Sequence, residues 1–225
     1  MELKIEKSAY QVGVYALLGS AILTSISQVF YANQVQSVHP FLFTGISFAI
    51  TALYFQAFTF KQRIKVNWAE ASKPLLKLNI ASTITFMGFY FALKYIEPAI
   101  VSSLEMGIAP LFILVLMLLQ RKTISTKKWA ISIGTLLACF ILILAVINGE
   151  SGIISQISTE MFIGVFASIF CGIGAVFCSE YSKQLSDHGW TSSMILSKRY
   201  IGIIIISFIF TYDLIIPYFV DNIIW

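Results

Sequence analysis

Two glutamates and two prolines stand in the stretch "EPAIVSSLEMGIAP", from Glu97 to Pro110, just before the apolar run "LFILVLMLLQ". If this stretch forms a membrane helix, Glu105 lies about 12 Å further along its axis than Glu97. A carboxyl at that depth in hydrocarbon costs about 2.5–3.5 kcal/mol unless it faces water or a polar partner. Glu105 is therefore interpreted as a group that binds a substrate or a coupling proton, or as a structural acid bonded to a neighbouring helix.

Pro110 indicates a cavity at the same place. Proline has no N–H, so the carbonyl of Met106 loses its helical partner and the helix is expected to kink. A freed carbonyl is tolerated at membrane depth only where protein or a water-lined cavity satisfies it. The acid and the kink together predict a polar cavity beside this helix.

Glu97 has a simpler interpretation. Pro98 suits the first turn of a helix, and an acidic group there complements the helix dipole. Helical spacing nevertheless places Glu97, Val101, Glu105 and Ala109 on one face, so both carboxyls could line one aqueous path.

Further polar residues inside apolar segments are candidates for the same substrate- or proton-binding site: Gln28, Asn79, Tyr90 and Arg199. For the uncharged ones, hydrogen bonding between helices is the alternative. Arg199 fits either a counter-ion for Glu105 or for an anionic substrate, or a side chain that snorkels to the membrane surface. The sequence offers no nucleophile–base or metal-ligand constellation and no phosphate-binding loop, so we expect neither an enzyme nor a cofactor or metal.

The segments that carry these residues are built for lipid. The chain has 225 residues, of which 58% are hydrophobic and 12% charged, and its mean hydropathy is +0.84. Its apolar blocks have the length of membrane-spanning helices and lack the alternation of barrel strands. We predict an all-α polytopic membrane protein with about seven transmembrane helices, near residues 11–32, 39–60, 75–94, 98–119, 128–147, 159–180 and 192–212.

Lysine and arginine set the orientation. With the N-terminus in the cytoplasm, twelve of these residues fall on the inside and one, Lys94, on the outside. This asymmetry predicts a cytoplasmic N-terminus and also explains the positive net charge, so a nucleic-acid partner is not expected.

An internal repeat follows from comparing "GVYALLGSAILTSISQVF" (from Gly13) with "GVFASIFCGIGAVFCSEY" (from Gly164), which align without gaps at an offset of 151. Five-helix repeats in inverted orientation are typical of secondary transporters. The predicted organisation is a cytoplasmic tail, a first five-helix repeat, an external loop, the first two helices of an incomplete second repeat, and an external tail. These parts cover residues 1–10, 11–147, 148–158, 159–212 and 213–225.

Three stretches carry a resemblance to a known family: "FYFALKYIEPAIVSSLEMGIAPLFILVL", "KKWAISIGTLLACFILILAV" and "SKRYIGIIIISF". The chain resembles the EamA-type transporters of the drug/metabolite transporter superfamily. The resemblance implies a bundle of two inverted five-helix repeats that moves small metabolites. The chain departs from the family pattern in two places. Its fourth helix is followed by "LLQRKTIS", which has no glutamate, and its second helix lacks an arginine corresponding to Arg199 of the seventh.

We accordingly expect a secondary transporter, or permease, of small organic metabolites in the cell membrane, working by alternating access. Its expected partners are a small-molecule substrate, the lipid bilayer and a coupling proton, and a dimer is left open. The alternative is a non-transporting membrane protein, either a truncated remnant or a seven-helix sensor or assembly subunit, which the odd number of helices favours.

The orientation can be tested by cysteine labelling. A cysteine placed at Asn148 should react with a membrane-impermeant thiol reagent added outside intact cells, because 148–158 is predicted to be external. A cysteine placed at Gln62 should react only after the membrane is opened. The reverse pattern would contradict the assignment.

Overall fold

A computed structural model describes residues 2–31, 38–60, 67–148 and 159–223, with side chains described except at 2–10, 146–147 and 214–223. These residues form eight α-helices. The helices are α1 (Glu2–Phe30), α2 (Pro40–Phe60), α3 (Trp68–Ala92), α4 (Pro98–Leu119), α5 (Thr126–Ile147), α6 (Thr159–Asp187), α7 (Ser192–Lys198) and α8 (Ile201–Ile223).

Seven segments within the described residues are long and apolar enough to cross a membrane, one in each of α1 to α6 and a seventh from Ser192 to Asp213. The prediction of an all-α polytopic membrane protein with seven spans is therefore confirmed. The seventh span differs from the expectation of one helix, because it consists of α7 and the beginning of α8. Helix α3 begins at Trp68, seven residues before its predicted span.

Local capping explains where several helices begin. The Asn67 side chain accepts a hydrogen bond from the amide of Ala69 and donates one to Glu70, so it satisfies an otherwise orphaned amide at the start of α3. Pro98 occupies the first turn of α4, where its missing N–H costs nothing. The Thr191 hydroxyl accepts from the amide of Met194 and caps α7.

The chain divides into two compact units, Met1–Ser37 and Val38–Trp225. The first contains α1, which already begins at Glu2 and therefore runs through the segment predicted as a tail. The small residues of α1 that the repeat comparison aligned with α6 are exposed: Ala16, Ser20 and Thr24. The second unit contains α2 to α8 and is described in the rest of this section.

Helices α3 and α6 form the centre of the second unit, and small residues let their backbones approach closely. A Cβ built on Gly88 would lie 3.1 Å from the carbonyl oxygen of Ala167, and one on Gly174 would lie 3.1 Å from that of Ala81. Close approach through glycine and other small residues is the usual way in which helices pack in lipid. Nearer one end, Leu78 and Leu185 of the two helices are fully buried in a cluster that also includes Trp190.

Helix α4 packs on α6 and on α5 by the same means. A Cβ on Gly172 of α6 would lie 2.8 Å from the carbonyl oxygen of Glu105, and one on Gly164 would lie 3.1 Å from the side chain of Ile96. On the other side of α4, a Cβ on Gly107 would collide with Cys139 of α5. Because Gly164 pairs with Ile96 and Gly172 with Glu105, α4 and α6 run in the same direction.

Helices α2 and α8 pack in opposite directions. Phe41 contacts Phe210 at a ring-centroid distance of 5.2 Å, and Phe48 contacts Tyr200 at 4.6 Å. These directions agree with alternation of the six spans of the second unit across a membrane. The α2–α3, α4–α5 and α6–α7 connections then share one end of the bundle, called here the lysine-rich end because Lys73, Lys122 and Lys183 lie in or next to them.

The replacement Gly172→Ala should destabilise the protein by about 1–3 kcal/mol, because the new methyl group forces α6 away from the α4 backbone. Gly134→Ala on α5 is the matched control: a Cβ there meets no atom within 4 Å, so the change should be neutral or slightly stabilising. Thermal unfolding of both variants in detergent micelles measures the difference. Equal unfolding temperatures would show that the α4–α6 contact is not tight.

Candidate functional site

The seventh span is interrupted in its first half. Helix α7 ends at Lys198, and α8 begins at Ile201, with Arg199 and Tyr200 in the turn between them. Such a break removes regular backbone hydrogen bonds at membrane depth, where each orphaned group costs several kcal/mol. The backbone groups at the break therefore require hydrogen-bond partners from another helix.

Asn79 of α3 supplies those partners. Its amide nitrogen donates to the carbonyl oxygen of Lys198 over 3.0 Å, and its amide oxygen accepts from the backbone N–H of Gly202 over 2.9 Å. The same nitrogen donates to the carbonyl of Leu75 within α3. One asparagine thus satisfies the last carbonyl of α7 and an early amide of α8, and it fixes both half-helices to α3.

Arg199 extends from this break towards α3. Its Nε donates to the hydroxyl of Ser82 over 3.1 Å. The guanidinium carbon lies 5.5 Å from the ring centroid of Phe86 and 5.4 Å from that of Tyr200, which are cation–π distances. The charge is held by a hydroxyl and two aromatic faces.

Aromatic rings from three spans surround the arginine. Phe48 of α2 lies 4.5 Å from Phe86 and 4.6 Å from Tyr200, measured between ring centroids. Tyr90 of α3 adjoins the same group, 6.5 Å from Phe48 and 5.2 Å from Phe43. The break is consequently embedded in a packed aromatic cluster.

Ser82 connects this cluster to α6. The Ser82 oxygen, fully buried, lies 3.4 Å from the sulfur of Cys178 while it accepts from Arg199. Thr85 approaches the same sulfur at 3.7 Å. A shift of α6 against α3 therefore acts directly on the group that holds Arg199.

Glu105 lies on the other side of α6, at the contact between α4 and α6. Its carboxyl meets the thiol of Cys171, and its backbone packs on Gly172. Its side chain is half-buried. A thiol is a weak donor, so this contact leaves most of the hydrogen-bonding capacity of the carboxyl for other groups.

A groove of about 950 Å³ opens between α4 and α6 at the lysine-rich end. Its lining combines apolar walls with lysine, glutamine and tyrosine side chains: Lys77, Ala109, Ile113, Leu116, Met117, Gln120, Lys122, Ala175, Val176, Phe177, Ser179, Glu180, Tyr181, Lys183 and Gln184. The groove reaches up α4 as far as Ala109, one helical turn from Glu105 and next to Pro110. The volume lies in the range of small-molecule sites.

Beyond Glu105 the same helices are closed. Ile96, Val101 and Leu104 each have 0% of their surface exposed. Val101 lies between Glu97 and Glu105 on the face that the sequence assigned to a shared aqueous path. In this conformation Val101 is fully buried on that path, and the groove at the opposite, lysine-rich end reaches α4 as far as Ala109, one turn from Glu105.

Asn79 and Arg199 of the predicted site lie at the break in the seventh span, and Tyr90 lies three turns further along α3 than Asn79, beside Phe48. Glu105 has other partners, because it meets Cys171, whereas the described contacts of Arg199 are with Ser82, Phe86 and Tyr200. The counter-ion pairing is thus not formed in this conformation. Gln28 lies in α1, in the first unit, where it is partly buried.

Sequence reasoning missed the role of three residues. Lys77 was counted as a charge near a connection, yet it lies well inside α3 and lines the groove. Its position in the apolar run "LLKLNI" was the available signal. Ser82 and Tyr200 have no comparable signal, since serine and tyrosine are ordinary in membrane helices and only the packing of α3, α6 and α8 gives these two their partners.

Comparison with known proteins gives one family match. The profile of the EamA-like transporter family matches residues 11–145, more than half of the chain, from α1 through α5. Searches of curated proteins and of solved structures give no match.

The replacement Asn79→Leu should destabilise the protein strongly, because it leaves the Lys198 carbonyl and the Gly202 amide without partners at a cost of about 1–3 kcal/mol each. Thr83→Val is the control: Thr83 lies one turn further along the same helix, and its hydroxyl bonds only to the carbonyl of Asn79. Thermal unfolding in detergent should show a large decrease for Asn79→Leu and a small one for Thr83→Val. Similar decreases would mean that the hydrogen bonds across the break add little.

Proposed function

The chain belongs to the EamA-like transporter family, and from that premise we propose that it is a secondary transporter, or permease, of small organic metabolites that works by alternating access. In such a mechanism a central site is exposed to one side of the membrane at a time, as packed helices rock against one another. Helices α4 and α6 carry the proposed substrate path.

The observation that supports this proposal best is the groove between α4 and α6. It is open at the lysine-rich end and ends one turn from Glu105, while Ile96, Val101 and Leu104 close the other half. A path open to one side and closed to the other is the geometry expected of one state in an alternating-access cycle. Glycines at the α4–α6 contact, where side chains interlock little, favour sliding of one helix against the other.

The pairing of α2 with the seventh span supports two repeats in inverted orientation. At the offset of 151 between the repeats, Phe48 corresponds to Arg199 and Ala49 to Tyr200. Phe48 packs on Tyr200, so the two antiparallel spans cross at nearly equivalent positions. This crossing is expected for two copies related by an axis in the membrane plane.

Within this mechanism Glu105 binds the substrate or a coupling proton, since it is the acid at the closed end of the groove. The interrupted seventh span, with Arg199 and Asn79, is the element that changes its contacts as the path switches sides. Tyr90 lines the same region, and Gln28 is the candidate from α1. We place the protein in the cell membrane with the lysine-rich end in the cytoplasm, because lysine and arginine are enriched in cytoplasmic connections.

The replacement Glu105→Gln should abolish coupled transport or substrate binding while membrane insertion stays intact, because it keeps the shape of the side chain and removes its charge. Glu97→Gln is the matched control, since Glu97 lies at the start of α4, where electrostatics with the helix dipole contribute about 0.3–1 kcal/mol. Uptake of a panel of labelled metabolites into proteoliposomes measures both variants, with the rate recorded as a function of pH.

The pH profile should be recorded above pH 6.5. Burial, with a smaller contribution from Lys94, lowers the pKa of His39 from its usual value of 6.5, so the neutral form of this histidine predominates above that pH and its contribution to the profile falls as the pH rises. Mild and equal effects of the two replacements on the rate and its pH dependence would show that Glu105 is a structural acid. Absence of uptake by the unmodified protein across the panel would contradict the transport proposal itself.

A further inference from the structure

The groove between α4 and α6 carries an excess of positive charge. Its charged lining residues are Lys77, Lys122, Lys183 and Glu180, one from each of α3 and the α4–α5 connection and two from α6. Glu180 is the acidic residue of this lining, and its carboxyl accepts a hydrogen bond from Gln184 over 3.1 Å. A cavity with this balance attracts anions.

Lys77 differs from the other two lysines. Lys122 follows the end of α4, and Lys183 lies about one turn before the end of α6, near connections where lysine is enriched. Lys77 lies about 13 Å along α3 from its first residue, within a span, and its ammonium group lies 5.7 Å from the ring centroid of Tyr181 across the groove. Its side chain is exposed and belongs to the lining of the groove, where it is available to a polar ligand.

Aromatic faces stand beside this lysine. The rings of Phe177 and Tyr181 are nearly parallel, with an interplanar angle of 10° and centroids 5.9 Å apart. Phe112 of α4 contacts Phe177 edge-on at 5.4 Å. The remaining wall is aliphatic: Ile113, Leu116, Met117 and Val176. The groove therefore offers the Lys77 ammonium group next to a flat aromatic surface, with aliphatic side chains on the remaining wall.

We propose that this groove binds a small organic anion whose carboxylate pairs with Lys77 and whose ring or apolar body packs on Phe177 and Tyr181. The proposal rests on the transport function proposed above and names the class of its substrate. Lysine side chains beside apolar walls select an amphipathic anion over a simple inorganic ion, because the walls contribute affinity only to a ligand with apolar surface. It selects against organic cations, because all three lysines repel them.

Equilibrium binding to the purified full chain in a neutral detergent tests this assignment with four probes of known structure. Benzoate and phenylacetate combine a carboxylate with a ring, acetate lacks the ring, and benzylamine carries the opposite charge. Benzoate or phenylacetate should bind more tightly than acetate, and benzylamine should bind least. Failure of both aromatic carboxylates to bind, or tighter binding of benzylamine, would overturn the proposal.

Lys77→Gln should weaken binding of the aromatic carboxylates about tenfold or more, the loss expected for a charge-assisted contact. Lys73→Gln is the matched control, because Lys73 lies one turn earlier on the same helix and is exposed like Lys77, but is not part of the groove lining. Lys77→Arg should retain most of the affinity, which separates loss of charge from loss of fold. Equal effects of the changes at 73 and 77 would assign the binding to general surface charge and contradict the proposal.

Two further outcomes separate this inference from the transport proposal. Vesicles of phosphatidylglycerol that displace the carboxylates, where phosphatidylcholine vesicles do not, would show that the groove is a site for anionic lipid and would overturn the assignment to a substrate. Carboxylate binding that depends on Lys77 without any flux in proteoliposomes would contradict transport and leave the binding assignment standing. Flux with no preference for anions would contradict the binding assignment and leave the transport proposal standing.

Discussion

Inside a bilayer, every backbone amide and carbonyl has to find its partner within the protein. The second unit obeys this constraint even where its seventh span is broken, because Asn79 bonds to the Lys198 carbonyl and the Gly202 amide. The packing around the break follows from these two hydrogen bonds. The break frees Arg199 to reach Ser82, the aromatic rings pack around the guanidinium, and α3 becomes the helix to which both halves of the span are attached.

Helix α3 in turn links two regions with different chemistry. One face carries Asn79 and Ser82 towards α8, and another carries Gly88 and Thr85 towards α6. The acid at Glu105 is one helix further away, across α6. Aromatic packing and hydrogen bonds hold the region of Arg199, whereas small residues hold α6 between α3 and α4 and leave room for the groove.

The sequence predicts the class of the fold well, because a run of apolar residues long enough to cross a bilayer has few other stable forms. Glu105, Asn79 and Arg199 became candidates for a related reason: polar groups are rare in such runs and stand out. The break at Arg199–Tyr200 was not predicted. No proline marks it, and its stability depends on Asn79, more than a hundred positions earlier in the chain, which bonds to the amide of Gly202. The place of Lys77 in the groove lining was not predicted, because a lysine count records the charge and not the contacts of the side chain.

The interrupted span also has a consequence for how the chain is made. Lys198 and Arg199 stand together within the seventh span, and each charge near the centre of an isolated helix disfavours its entry into lipid by about 2.5–3.5 kcal/mol. The groups that accept Arg199 and cap the break, Ser82 and Asn79, lie on α3 and leave the ribosome earlier. Biogenesis therefore has a preferred order, in which α3 is already in the membrane as a docking partner when the seventh span leaves the translocon.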